Sequence, residues 1–102
     1  MNSITQNQYE VIKQTIQLEL KSIRERIKAH HNAEFRYEDM IVDALAKRCV
    51  KVGVHGTERM IHELILVEIA QKILAKIRHQ ETVHSVTIST DKESQQFSCA
   101  VA

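Results

Sequence analysis

Isoleucine recurs at every fourth position through the middle of this chain, at Ile61, Ile65, Ile69, Ile73 and Ile77. Because an α-helix turns once in about 3.6 residues, this spacing places the isoleucines near one face of a single helix. The apolar face is widened by four further residues, Leu64, Leu66, Val67 and Leu74. We therefore predict a long helix that is buried on much of its circumference, with Thr57 as its N-terminal cap and an end near Arg78.

Two further helices are predicted before this one. A first amphipathic helix is indicated by apolar side chains at intervals of three and four residues, Tyr9, Ile12, Ile16, Leu20, Ile23 and Ile27. A shorter helix begins near Glu38 and Asp39, whose charges suit the positive end of its dipole, and Gly53 ends it. The apolar positions of this shorter helix are Ile41, Leu45, Cys49 and Val52.

The remaining apolar residues alternate with polar ones, which is typical of strands. Phe35 and Tyr37 flank Arg36, and the segments VHSVTIST and QQFSCAVA are separated by the polar turn DKES. We expect a C-terminal β-hairpin, joined by a short edge strand near Phe35 into a small antiparallel sheet that packs on the helices. The predicted fold class is α+β, with three main helices.

Length and charge limit the classes of function. A chain of 102 residues with 43% hydrophobic residues suits one domain, residues 1–102, in which residues 1–8 are expected to be flexible. The formal net charge of +1 gives no field that would gather nucleic acid or an anionic membrane. No apolar run approaches the ~20 residues of a membrane span, and no signal-peptide pattern is present. We predict a soluble, cytoplasmic protein.

The chain contains none of the common motifs of catalysis. Gly53 and Gly56 do not fit a phosphate-binding P-loop, and no serine-hydrolase, zinc-protease or calcium-loop motif occurs. Cys49 and Cys99 form no C-x-x-C pair and are predicted to be buried thiols. The six histidines match no specific metal spacing. We therefore expect no catalytic residue, no metal and no cofactor in this chain.

The order of short motifs resembles a known domain. The segment LKSIRERIKAHHNAEFRYEDMIVDALAKRC, residues 20–49, is similar to the start of the C-terminal small domain of Clp-type AAA+ ATPases. It resembles most the ClpB-like ATPase ClpV of type VI secretion systems. The matching positions are Leu20, Ile23, Arg26, His30 or His31, Phe35, Tyr37, Glu38, Asp39, Ala46, Arg48 and Cys49.

This resemblance implies an AAA+ small (lid) domain that works by association rather than by catalysis. The implied partner is a protein, either a second copy of this chain or a ClpV-type ATPase, and ATP would be involved only through a joined AAA+ large domain. Strand edges are templates for pairing, so the hairpin and the strand near Phe35 are the predicted contact surface. Its candidate residues are Phe35, Tyr37, Val86, Ile88 and Phe97.

The stretch HGTERM departs from the family at one position. The resemblance implies a glycine-alanine-arginine turn whose arginine senses the terminal phosphate of the nucleotide. Here Gly56 and Thr57 match the first two positions, but Glu58 replaces the arginine and Arg59 follows one residue late. One residue along a helix rotates a side chain by about 100°. Gly56 and Arg59 are therefore candidates for nucleotide sensing, and the start of a plain helix is the alternative.

A second interpretation has no relation to AAA+ proteins. In this alternative the chain is an unrelated small α+β binding protein with its own partner, and its helical pattern matches the family by chance. An enzyme that uses the histidines is a third interpretation, which no motif supports.

Overall fold

The computed structural model describes residues 6–91 and 96–102. Along the described residues the elements follow in the order α1 (Gln6–His31), β1 (Glu34–Tyr37), α2 (Asp39–Cys49), α3 (Gly53–Ile61), a π-helical segment (His62–Leu66), α4 (Val67–Arg78), β2 (Ser85–Thr90) and β3 (Phe97–Val101). Since α3, the π-helical segment and α4 are continuous, residues 53–78 are here called the third helix. The α+β class with three main helices is confirmed.

Two predicted segments lie partly outside the described residues. Residues 1–5 and 92–95 are not described, so the DKES turn is described only at Asp91. Residues 6–8 belong to the first turn of α1, and the predicted flexibility of the first residues stays a prediction.

The core lies between α1 and the third helix, with the sheet and α2 closing it. All five isoleucine and leucine positions predicted for the buried face of α1 are buried: Ile12, Ile16, Leu20, Ile23 and Ile27. From the third helix, Ile61, Ile65, Ile69 and Ile73 enter the same core. Burial of this apolar surface provides the main favourable free energy for folding.

The last isoleucine of the stripe, Ile77, is 51% exposed. Each four-residue step advances a side chain by about 40° around an α-helix, so a long stripe drifts away from its starting face. The π-helical segment has bonds that span five residues, and its wider turn takes up part of this advance near Ile65. Ile61, Ile65, Ile69 and Ile73 therefore remain buried. Ile77, at the end of the stripe, does not share this burial.

The sheet has the strand order β1-β2-β3 and is mixed rather than antiparallel. Strand β2 pairs with β3 antiparallel, as the hairpin prediction requires, but β1 runs parallel to β2, with Phe35 opposite Val86. The antiparallel prediction for β1 is wrong because α2 and the third helix lie between β1 and β2 in the chain. A long helical crossover returns the chain to the same end of the sheet, so that the two strands run in the same direction.

The third helix begins four residues before its predicted cap. Gly53 is its first residue and has a φ of +75°, which lies in the left-handed region. Thr57 therefore lies inside the helix, where it is fully buried and its Oγ1 donates a hydrogen bond to the Gly53 carbonyl oxygen at 2.9 Å. The prediction of Thr57 as the N-terminal cap is wrong.

With 26 residues, α1 is long enough to span a membrane, but charged side chains occur along its whole length. Within the described ranges none of the helices qualifies as a membrane-spanning segment.

Both cysteines are free thiols in the core, as predicted. Burial raises the pKa of the Cys99 thiol to about 11, and the nearby Lys72 ammonium only partly opposes this shift. Burial also raises the pKa of Cys49, against a smaller lowering by a hydrogen bond with Thr57. A raised pKa keeps a thiol protonated, which is the opposite of what an activated cysteine nucleophile requires.

The left-handed backbone at Gly53 predicts a graded loss of stability on substitution. Space around the position is open, so a new Cβ meets no neighbour and only the backbone conformation opposes it. We expect Gly53→Ala to lower the free energy of unfolding by about 1–2 kcal/mol. Gly53→Asn should cost less, because asparagine enters this region more readily. Urea denaturation of both variants measures the order, and equal stabilities would contradict the assigned conformation.

The raised pKa of Cys99 predicts that stability depends on alkaline pH. A thiol whose pKa is higher in the folded than in the unfolded chain stabilises the fold below about pH 8.5, its ordinary value. This contribution is lost as the pH rises toward about 11. Between pH 8 and pH 10.5, the urea midpoint of unfolding should therefore decrease more for the wild type than for Cys99→Ala, which lacks the titrating group. Parallel pH profiles would show that this thiol is not responsible.

Candidate interaction surface

The two nucleotide-sensing candidates lie on α3, and the structure gives each of them a local explanation. The Arg59 side chain is 85% exposed, and its Nε donates to the Glu63 Oε1 at 3.2 Å across one helical turn. At Gly56, a Cβ atom would lie 2.7 Å from the Cβ of Val52, so that glycine is required by close packing. A role of Gly56 and Arg59 in nucleotide sensing stays a prediction.

Three of the five residues predicted for the contact surface lie in the core. The side chains of Phe35, Val86 and Ile88 are buried, because they point from the sheet toward the helices. This corrects their assignment as surface side chains. The opposite face of the sheet is polar, and its exposed Ser89 and Ser98 hydroxyls form a hydrogen bond of 2.9 Å across β2 and β3. Such alternation is typical of a sheet with one solvated face.

The other two predicted contact residues are half-buried aromatics, each beside an arginine. The Arg24 guanidinium carbon lies 5.3 Å from the centre of the Tyr37 ring on β1. The Arg48 guanidinium carbon lies 5.7 Å from the centre of the Phe97 ring on β3. These distances are in the range of cation–π contacts, which already occupy part of each ring.

Side chains from the helices also reach the outer strands of the sheet. The Lys72 ammonium of α4 donates to the Cys99 carbonyl oxygen of β3, and Arg24 of α1 donates to the Phe35 carbonyl oxygen of β1 at 3.4 Å. Each bond uses a carbonyl group that strand addition would need. The sheet edges are therefore less available for pairing than the sequence alone indicates.

A groove with a mainly apolar lining lies between the C-terminal half of α1 and α4. It encloses about 290 Å³. Its floor and the α4 wall are apolar, and they consist of Ile27, Leu66, Ile69, Ala70, Ile73, Leu74 and Ile77. Leu74 and Ile77 are large side chains that remain 48% and 51% exposed. We call this site the α1–α4 groove.

The groove exists because the third helix carries more apolar residues around its circumference than the core can cover. On α4, the residues Val67, Ala70, Leu74 and Ile77 follow one another at intervals of three, four and three. This spacing forms a second apolar stripe of the kind that packs against another helix in a coiled coil. The sequence indicates this second stripe, because apolar residues such as Val67 and Leu74 accompany the isoleucines.

The α1 side of the groove is basic. It consists of Arg26, His30 and His31, and the lining within the described part of the chain includes no acidic residue. The groove thus combines an apolar stripe with a rim that can hold positive charge. Polar rims around apolar centres are usual in protein interfaces.

Comparison with known families agrees with this architecture. The family model described as the C-terminal, D2-small domain, of ClpB protein matches residues 8–88, which is most of the chain. No curated protein sequence matches the chain at a significant level. The family match shows that the alternative of an unrelated α+β protein is wrong. The chain belongs to the ClpB D2-small family and is a non-catalytic small-domain module of a Clp-type AAA+ ATPase.

Proposed function

We propose that this chain is an association module that binds a ClpV-like AAA+ ATPase of type VI secretion through the α1–α4 groove, in the cytoplasm. The observation that supports the proposal is the unpartnered apolar stripe on α4, with Leu74 and Ile77 about half exposed. Isolated exposed apolar residues are ordinary, but a contiguous apolar patch with a polar rim is typical of an interaction site.

The chemistry of the groove favours a helix as its occupant. An apolar stripe with three- and four-residue spacing on α4 fits the side chains of another amphipathic helix, which would fill the gaps between Ala70, Leu74 and Ile77. The rim of Arg26, His30 and His31 favours acidic residues on the partner's polar face. We infer an amphipathic helix with acidic flanks on the ATPase.

Charge also bears on the second candidate, which is self-association. In a two-fold symmetric dimer the same patch is contributed by both copies. Two α1–α4 grooves that face each other would bring two basic rims into one interface, where like charges repel. The electrostatics therefore favour a different protein over a second copy. ATP takes part only through the large domain of the ATPase, since the groove carries no phosphate-binding motif.

Light scattering after size exclusion tests the proposal, with the chain at several concentrations, alone and mixed with the full-length ClpV-type ATPase from the same source. We expect the chain to be a monomer alone and to elute together with the ATPase. A chain that dimerises through the groove and ignores the ATPase would support self-association instead. A chain that does neither would contradict the proposed function.

Two substitutions in the groove should weaken this binding. Leu74→Glu with Ile77→Glu places negative charge on an apolar contact, and we expect the dissociation constant to rise at least tenfold, or about 1.4 kcal/mol. Leu18→Glu is the matched control, because Leu18 is a large side chain on α1, 67% exposed and outside the groove. Circular dichroism verifies that both variants fold. Equal loss of binding in the two variants would locate the contact elsewhere.

A further inference from the structure

A cluster of metal-ligating side chains lies on a different part of the surface from the α1–α4 groove. It consists of Glu19 of α1, Glu58 of α3 and His62, the first residue of the π-helical segment. Each residue offers one ligand atom, and these atoms all lie within 4.8 Å of one another. The Nε2 of His62 is 3.8 Å from the Oε2 of Glu19.

The arrangement follows from helix geometry and from the core beneath it. Glu58 and His62 are four residues apart, so they lie one above the other on the same face of the third helix. Glu19 reaches them from α1, where its neighbour Leu20 is fully buried, as is Ile61 beside His62. Two packed helices therefore hold the three ligands in place, and sites on helices are positioned more precisely than sites on loops.

The charges around the cluster favour a cation. Two carboxylates face a single imidazole, and within the described part of the chain Glu19 forms no ion pair with a lysine or arginine. The nearest arginine in sequence, Arg59, is paired with Glu63 instead. Among the described residues Glu58 has no ion pair with a lysine or arginine. A divalent cation would neutralise the two carboxylates and relieve their mutual repulsion.

The ligand types select the class of metal. One imidazole nitrogen and two carboxylate oxygens are ligands that Zn²⁺ and similar transition-metal ions accept, with water in the remaining position. Mg²⁺ and Ca²⁺ prefer oxygen ligands alone. We propose that Glu19, Glu58 and His62 form a binding site for a divalent transition-metal cation such as Zn²⁺, which links α1 to the third helix. The proposal departs from the sequence-based expectation of no metal site, which itself stays a prediction.

A metal that binds only the folded chain stabilises it. We expect isothermal titration with ZnCl₂ to give one site per chain, and the midpoint of thermal unfolding to rise until this site is full. MgCl₂ at the same concentration should give a much smaller rise. Light scattering with ZnCl₂ should still give a monomer, which separates binding within one chain from bridging between chains.

Single substitutions assign the ligands. We expect His62→Ala and Glu19→Gln each to raise the dissociation constant for Zn²⁺ at least tenfold, and Glu58→Gln to act likewise at a more exposed position. His55→Ala is the control on the same helix, and His30→Ala with His31→Ala removes the adjacent histidines of α1. Circular dichroism without metal verifies folding of each variant.

Three results would overturn the proposal. These are the absence of binding at millimolar ZnCl₂, binding that survives His62→Ala and Glu19→Gln, and binding that the double substitution of His30 and His31 abolishes. The proposal is independent of the α1–α4 groove, because none of its three ligands lines that groove. Loss of ATPase binding would therefore leave it untouched, and loss of metal binding would leave the proposed association untouched.

Discussion

The packing of α1 against the third helix is the contact on which the rest of the structure depends. The buried isoleucines and leucine of α1 meet the isoleucine stripe of the third helix, and this contact removes the largest apolar faces of the chain from water. The sheet needs the same surface, since Phe35, Val86 and Ile88 are buried against it. A three-stranded sheet of such short strands is stable only when one face is covered. The helices therefore support the sheet.

The same isoleucine stripe also produces the candidate interaction surface. A repeat of four residues does not match the turn of an α-helix, so the stripe drifts until Ile77 leaves the core. The π-helical segment delays the drift near Ile65 but does not remove it. Ile77 then joins Leu74 and Ala70 beside α1, and the groove forms where the core face ends. Folding and the proposed association thus use one continuous apolar surface.

The first turns of the third helix show how one backbone position changes the roles of several side chains. Because the helix starts at Gly53, Thr57 becomes a buried residue that bonds to the Gly53 carbonyl oxygen. Glu58 then faces Glu19 and His62, at the position where the resemblance to Clp-type ATPases expects an arginine. A carboxylate there repels phosphate and attracts a cation. The proposed metal site therefore depends on where the third helix begins.

The sequence by itself determined the helices, the strands and the α+β class, because helical and strand periods are local properties of side-chain order. It also indicated the family, and the family match over residues 8–88 agrees. Only the tertiary structure decided that β1 is parallel to β2, that Phe35 points inward, and that Glu19 meets His62. These features depend on which elements pack together, and residues that are 43 positions apart carry no local pattern that reveals their contact.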